Sequence, residues 1–142
     1  MKIGIISLQG AVPEHISMTS QALNSLGLKG EVVAVRHPKE LTESSALILP
    51  GGESTTISKL LKRFELHDPL IKAADEGIPI MGTCAGCILM AKEGDDEVAK
   101  TKTELLKIMD MKVNRNAFGR QRESFEACLL YTSPSPRDGL LS

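Results

Sequence analysis

The chain has 142 residues, a length that fits one domain with one hydrophobic core. A formal net charge of −1 and only 3% aromatic residues, with no Trp, argue against nucleic acid as a partner. No apolar run approaches the ~18 residues of a membrane helix, and three cysteines fit a reducing compartment better than a disulfide framework, so we expect a cytoplasmic protein.

Strands and helices are predicted to alternate along the first two thirds of the chain. Short apolar or β-branched runs predict strands at residues 3–8, 31–36, 46–49 and 78–81. Helical spacing predicts helices at residues 14–26, 55–64, 68–76 and 85–92. This alternation is typical of an α/β fold, a three-layer sandwich with a mostly parallel sheet and helices on both faces.

The second half of the chain is less regular. Residues 93–107 are charge-rich, which predicts a solvated helix or loop, and residues 111–114 and 124–127 are candidate short strands. From Cys128 the sequence changes to CLLYTSPSPRDGLLS, which does not continue the α/β pattern. We therefore predict a domain at residues 1–127 and a foreign or disordered tail at residues 128–142.

Ligands of parallel sheets bind beyond the carboxyl ends of the strands, and glycine clusters follow two of the predicted strands. One is Gly82-Thr83-Cys84-Ala85-Gly86, which has the strand–turn–helix pattern of a nucleophile elbow with Cys as the nucleophile. A helix N-terminus favours the thiolate over the thiol. The alternative is that Cys84 is a small buried hydrophobe, as we expect for Cys87.

The other cluster is Pro50-Gly51-Gly52-Glu53-Ser54-Thr55-Thr56. It lacks the lysine of a phosphate-binding loop. It is open to two interpretations that are compatible: a turn with Ser54 or Thr55 as N-cap of the next helix, and a loop whose glycines bring backbone N–H groups close to an oxyanion.

These two clusters together resemble the two signatures of class I glutamine amidotransferases. Leu8-Gln9-Gly10-Ala11-Val12, Glu14-His15, Arg115-Asn116 and Phe118-Gly119-Arg120-Gln121 are similar to the glutaminase branch that serves pyridoxal 5′-phosphate (PLP) synthesis. The similarity runs from Met1 to about Ala127. It implies a flavodoxin-like fold that is incomplete at its C-terminus.

The resemblance implies that Cys84 attacks the side-chain amide of L-glutamine, releases ammonia and leaves a thioester that water hydrolyses to glutamate. Gly52 and Ala85 would supply oxyanion N–H groups. Four residues would contact glutamine: Gly52, Glu53, Ser54 and Arg115. Ammonia would pass to a separate PLP synthase subunit in a hetero-oligomer. PLP would be a product, and neither a metal nor a cofactor is implied.

The family also carries a late His-x-Glu pair, the base and its orienting carboxylate, yet no histidine follows His67. We expect His67 to be excluded as a base by its position between two helices, and His15 and His37 to be poor substitutes. His15 is expected to cap, pack or contact the synthase subunit. The chain alone is therefore predicted to be inactive. The alternatives are a noncatalytic synthase-binding module and another class I glutamine amidotransferase.

Overall fold

The computed structural model describes residues 1–114, in which strands and helices alternate. The strands are β1 (Lys2–Ile6), β2 (Glu31–Val35), β3 (Ala46–Leu49), β4 (Ile80–Gly82), β5 (Ala91–Glu93) and β6 (Met109–Lys112). The helices are α1 (Val12–Ser25), α2 (Pro38–Thr42), α3 (Ser54–Arg63), α4 (His67–Asp75), α5 (Ala85–Met90) and α6 (Asp96–Lys100). No helix in this described part is long and apolar enough to cross a membrane.

Strands β1 to β4 form a parallel sheet in the order β2-β1-β3-β4. This is the order of doubly wound flavodoxin-like sheets, in which the chain reverses its direction across the sheet beside β1. Right-handed crossovers then place α1 on one face and the helices between β2 and β4 on the other. In agreement, α1 packs on β1 and β2, while α2 packs against α4.

The core lies on both sides of this sheet. Ile5 and Ile6 are both buried, and successive strand residues point to opposite faces, so both faces of β1 are covered. Ile57 and Leu61, four residues apart on α3, are also buried and present one face of that helix to the core. The predicted α/β architecture with a mostly parallel sheet is confirmed, and the ends of the predicted elements through α5 differ by at most two residues.

The short helix α2 was not predicted. Pro38 occupies its first turn, and the side chain of Glu40 accepts hydrogen bonds from the backbone N–H groups of Arg36 and His37, each at 3.0 Å. A Pro at N1 followed by Glu at N3 is a recognisable helix start. The five-residue length explains why hydrophobic periodicity did not reveal it.

The prediction of a solvated helix or loop at residues 93–107 is wrong at four buried positions, while most of the other residues are exposed or half-buried. Val98, Thr103, Leu105 and Leu106 are buried, and Leu106 is only 1% exposed. Ser58 of α3 fixes this segment, since its hydroxyl donates to the Glu104 carbonyl at 3.0 Å and accepts from the Glu104 N–H at 2.9 Å. The charged residues between these positions dominate the composition and conceal the buried ones.

Helix α5 ends two residues before the predicted position because its last carbonyls are used by another segment. The backbone N–H groups of Leu106 and Ile108 donate to the carbonyls of Leu89 and Met90 at 2.7 and 3.0 Å. Ala91 then becomes extended, and β5 pairs in parallel with β6 as a second, two-stranded sheet. Strand β6 overlaps the strand predicted at 111–114, whereas the strand predicted at 124–127 and the predicted tail at 128–142 lie outside the described residues.

Candidate active site

Three loops that follow adjacent strands meet at the carboxyl edge of the main sheet. They are the segments after β1, β3 and β4, and β3 lies between the other two strands. The first two flank the point where the strand order reverses, which is where doubly wound sheets bind ligands. The topology therefore brings the two predicted glycine clusters and Gln9-Gly10 to one edge.

Cys84 lies in the turn between β4 and α5 with a strained backbone. Its φ and ψ are 53° and −116°, a conformation that costs a residue other than glycine about 1–3 kcal/mol. The side chain is exposed. Strain of this kind persists only when surrounding contacts impose it, and it places the thiol on a sharp turn facing solvent.

The two glycines of the elbow allow that turn to pack. A Cβ on Gly86 would lie 2.0 Å from the carbonyl oxygen of Leu49 at the end of β3. A Cβ on Gly82 would lie 2.8 Å from the backbone nitrogen of Cys87. Both neighbours are main-chain atoms, so the G-x-C-x-G spacing reflects a lack of space on either side of the nucleophile.

The loop after β3 lies directly against the thiol. A Cβ built on the buried Gly51 would be 2.9 Å from Cβ and 3.7 Å from Sγ of Cys84. Any side chain at position 51 would thus clash with Cβ of Cys84. Gly52, the next residue, is exposed and adjoins the loop after β1, where a Cβ would be 2.6 Å from Oε1 of Gln9.

Glu53, rather than Ser54 or Thr55, is the N-cap of α3. Its carboxylate accepts hydrogen bonds from the backbone N–H groups of Thr55 at 3.2 Å and Thr56 at 2.6 Å. The prediction of Ser54 or Thr55 as the cap is therefore wrong, because Ser54 already has helical geometry and is buried as the first residue of α3. A carboxylate also suits the positive end of the helix dipole.

The loop after β1 is bonded to the loop after β3. Oε1 of Gln9 accepts from the Glu53 N–H at 3.0 Å, and the Ala11 N–H donates to the Gly51 carbonyl at 3.1 Å. Gly10 has a φ of 93°, and a Cβ there would lie 1.8 Å from the Gly51 oxygen. Only glycine fits this approach.

The three histidines have other partners than the thiol. His15 Nε2 lies 2.9 Å from Oγ1 of Thr83, and His37 caps α2 and meets the ring of Phe64 edge-on. His67 begins α4, is buried, and has Nδ1 3.3 Å from a carboxylate oxygen of Asp68. Among the described residues, none of these histidines hydrogen-bonds Cys84. The contact between His15 and Thr83 had no sequence signal.

The predicted site residues are thus partly assembled. Cys84 and the Gly51-Gly52 loop are adjacent, and Ala85, which directly follows the cysteine, is buried at the start of α5. The oxyanion roles of Gly52 and Ala85, and glutamine binding by Gly52, Glu53 and Ser54, stay predictions. Arg115 lies outside the described residues.

A strained cysteine elbow beside a glycine loop on a flavodoxin-like sheet matches the predicted amidotransferase architecture. A family model described as the SNO glutamine amidotransferase family matches residues 5–133. The chain belongs to this family.

Relatives and solved structures agree with membership of the SNO family. The pyridoxal 5′-phosphate synthase subunit PdxT of Methanosarcina barkeri is 55% identical over 127 residues, which cover 89% of this chain and 64% of the relative. The protein of the same name from Methanosarcina mazei is 52% identical over 141 residues, with 99% and 71% covered. A crystal structure of a glutamine amidotransferase aligns with a TM-score of 0.70 and 43% identity, covering 88% of this chain and 62% of its own.

A more distant structure, a peptidase E protein from Listeria monocytogenes, aligns with a TM-score of 0.57 and 19% identity, covering 77% of this chain and 63% of its own. This likeness concerns the fold alone. The chain spans 64% of the length of the M. barkeri relative and 65% of that of the Archaeoglobus fulgidus PdxT. The SNO family match continues beyond Ala127, the domain end predicted from the sequence, and that boundary stays a prediction.

Proposed function

We propose that this chain supplies the nucleophile and part of the glutamine site of a glutaminase that hydrolyses L-glutamine to L-glutamate and ammonia. The observation that carries the proposal is the backbone of Cys84, whose φ of 53° holds an exposed thiol on a sharp turn. Strained conformations cluster at active sites, where strain positions a reactive group. Gly51 supports the same residue from the neighbouring loop, since a Cβ there would lie 2.9 Å from Cβ of Cys84.

In the proposed reaction the Cys84 sulfur attacks the side-chain amide carbon of glutamine. The carbon–nitrogen bond breaks, nitrogen leaves as ammonia after gaining a proton, and a glutamyl thioester forms. Water then adds to the thioester and releases glutamate and the thiol. The N–H groups of Ala85 and Gly52 would stabilise the oxyanion in both steps.

The amino-acid end of glutamine would be held by the loop after β3 and by Arg115. A guanidinium binds a carboxylate through two parallel hydrogen bonds, which fixes orientation as well as charge. Gly52 and Glu53 are exposed and therefore accessible to a substrate. The general base would be the histidine of the His-x-Glu pair that the family resemblance implies, a pair that this 142-residue sequence does not contain.

We further propose that the ammonia is consumed by a PLP synthase subunit with which this protein forms a hetero-oligomer. The relatives named as PLP synthase subunits support this partner. The odd number of cysteines fits a cytoplasmic site of action.

A glutamine-mimicking electrophile tests the nucleophile. The chain is treated briefly with 6-diazo-5-oxo-L-norleucine, and the modified peptides are mapped by mass spectrometry. We expect Cys84 to be modified at least about tenfold faster than Cys87, since only Cys84 is on the elbow. L-Glutamine should protect Cys84 and D-glutamine should not. Equal labelling of Cys87, or no protection by L-glutamine, would contradict the proposal.

Activity and partner are tested with a chimera that joins residues 1–127 to the remaining C-terminal part of the M. barkeri relative. Glutamate release is measured with and without the synthase subunit of that organism. We expect activity that rises when the synthase is added and disappears in Cys84→Ala. Activity that survives Cys84→Ala would exclude this nucleophile, and complex formation without any glutamate release would favour a noncatalytic binding module.

A further inference from the structure

His15 connects α1 to the residue that precedes the nucleophile. Its Nδ1 lies 2.8 Å from the carbonyl oxygen of Ala11, and its Nε2 lies 2.9 Å from Oγ1 of Thr83. The His15 ring is half-buried, and His15 and Thr83 lie 68 residues apart in the chain. Both nitrogens of the imidazole are therefore engaged.

These contacts determine the direction of the hydrogen bonds. A carbonyl oxygen only accepts, so Nδ1 of His15 carries the hydrogen that is donated to Ala11. In the neutral imidazole Nε2 is then an acceptor, and the Thr83 hydroxyl donates to it. In this tautomer the single hydroxyl hydrogen of Thr83 is committed to His15, which fixes the rotation of that hydroxyl.

Thr83 is held from three directions. Its N–H donates to the Leu49 carbonyl of β3 at 3.1 Å, and its carbonyl accepts from the Gly86 N–H of α5 at 2.9 Å. His15 adds the bond from α1 to the side chain. The next residue is Cys84 with its strained backbone, and such strain requires neighbours that over-determine it.

We propose that His15 is a positioning residue: by holding the Thr83 side chain it fixes the peptide before Cys84 and hence the direction of the thiol. This inference rests on the proposed function, because it concerns the nucleophile of that reaction. His15 is not assigned as the base, since Nε2 faces the Thr83 hydroxyl and no described histidine bonds Cys84.

The experiment uses the chain as it stands. The rate of Cys84 modification by 6-diazo-5-oxo-L-norleucine is measured relative to that of Cys87, and both rates are recorded. Cys84 is already exposed and Cys87 is half-buried, so a general loosening of the fold raises the Cys87 rate, whereas a loss of positioning lowers the Cys84 rate. The disruptive variants are Thr83→Val, which keeps the shape and removes the hydroxyl, and His15→Phe. The conservative variants are Thr83→Ser and His15→Gln, which each keep a hydrogen-bonding group.

We expect each disruptive variant to lower the ratio about threefold to tenfold, the range that corresponds to one neutral hydrogen bond. The fall should come from the Cys84 rate, with the Cys87 rate unchanged. The conservative variants should remain within about twofold of the wild type. The double variant His15→Phe/Thr83→Val should lose no more than either single variant, because both remove the same bond. Unchanged ratios, fully multiplicative losses, or losses as large in the conservative variants would overturn the positioning role.

The wild-type measurement separates this inference from the proposed function. If Cys84 of the wild type is not modified faster than Cys87, the nucleophile assignment fails and the inference fails with it. If the wild type shows the preference and the variants retain it, only the role of His15 is rejected. Thermal denaturation of each variant identifies any that do not fold. If one disruptive variant does not fold, the other decides the outcome, since His15→Phe and Thr83→Val remove the same bond from its two ends.

Discussion

Replacing Gly86 by alanine tests the packing that imposes the elbow. The new Cβ would lie 2.0 Å from the Leu49 carbonyl oxygen, and contacts below 3.0 Å are essentially absent from real proteins. The start of α5 must therefore move away from β3 by about 1 Å. The atoms that the new Cβ would meet belong to the backbone of Leu49 and Pro50, so no side-chain rotation relieves the clash.

The expected loss of stability follows from two opposing terms. Alanine favours a helix over glycine by about 1 kcal/mol, whereas overpacking a tight site costs up to about 3 kcal/mol. The net loss is about 2 kcal/mol, which corresponds to a fall in Tm of roughly 6 °C for a chain of this size. Because the shift displaces Cys84, its modification by 6-diazo-5-oxo-L-norleucine should also slow.

Thermal denaturation followed by circular dichroism measures the first effect, and peptide mapping measures the second. Gly27→Ala is the matched control, since Gly27 has a φ of 65° and no atom within 4 Å of an added Cβ. It should lose about 1–2 kcal/mol from backbone strain alone and leave Cys84 labelling unchanged. A Gly86→Ala variant as stable as the wild type would refute the argument that close packing against β3 creates the elbow.

Three further substitutions, with one control, test other parts of the fold by thermal or urea denaturation. Ser58→Ala should cost about 1–3 kcal/mol because both backbone groups of Glu104 lose their partner; an unchanged Tm would mean that this link is not needed. Leu106→Ala should lower the free energy of unfolding by about 2–5 kcal/mol. The control Lys100→Ala, at an exposed position of the same segment, should change it by no more than about 0.5 kcal/mol. Equal effects of the two substitutions would argue that the segment is solvated. Glu53→Ala should cost about 0.5–2 kcal/mol through the lost α3 cap, and no loss would exclude that role.

The sequence predicted the main sheet well because its strands are short apolar runs between clear stop signals. Residues 46–49 match β3 at both ends, and Pro50 marks where it stops. Buried parallel strands give this signal because both faces are covered. The elbow was also predicted from the sequence. Backbone contacts leave no room for a side chain at Gly82 or Gly86, so the two glycines keep a fixed spacing around Cys84 that is visible in the sequence.

What the sequence did not predict depends on contacts between distant residues. The bond between His15 and Thr83 joins the first helix to the fourth strand's loop, and nothing local to either residue specifies it. The burial of Leu105 and Leu106 depends on α3 and α5, which lie elsewhere in the chain. Charge content describes a segment on its own, whereas burial is decided by the surfaces that it meets.

The adjacency of β1, β3 and β4 also sets the width of the sheet edge beneath Cys84. Neighbouring strands lie about 4.8 Å apart, so the floor formed by the three strand ends is about 10 Å wide. That width suits a single free amino acid. A glutamine within a polypeptide would need to carry its flanking residues over the starts of α1 and α3, which stand at the same edge. The width of this floor comes from the spacing of the backbone itself, a quantity that side-chain substitutions do not alter.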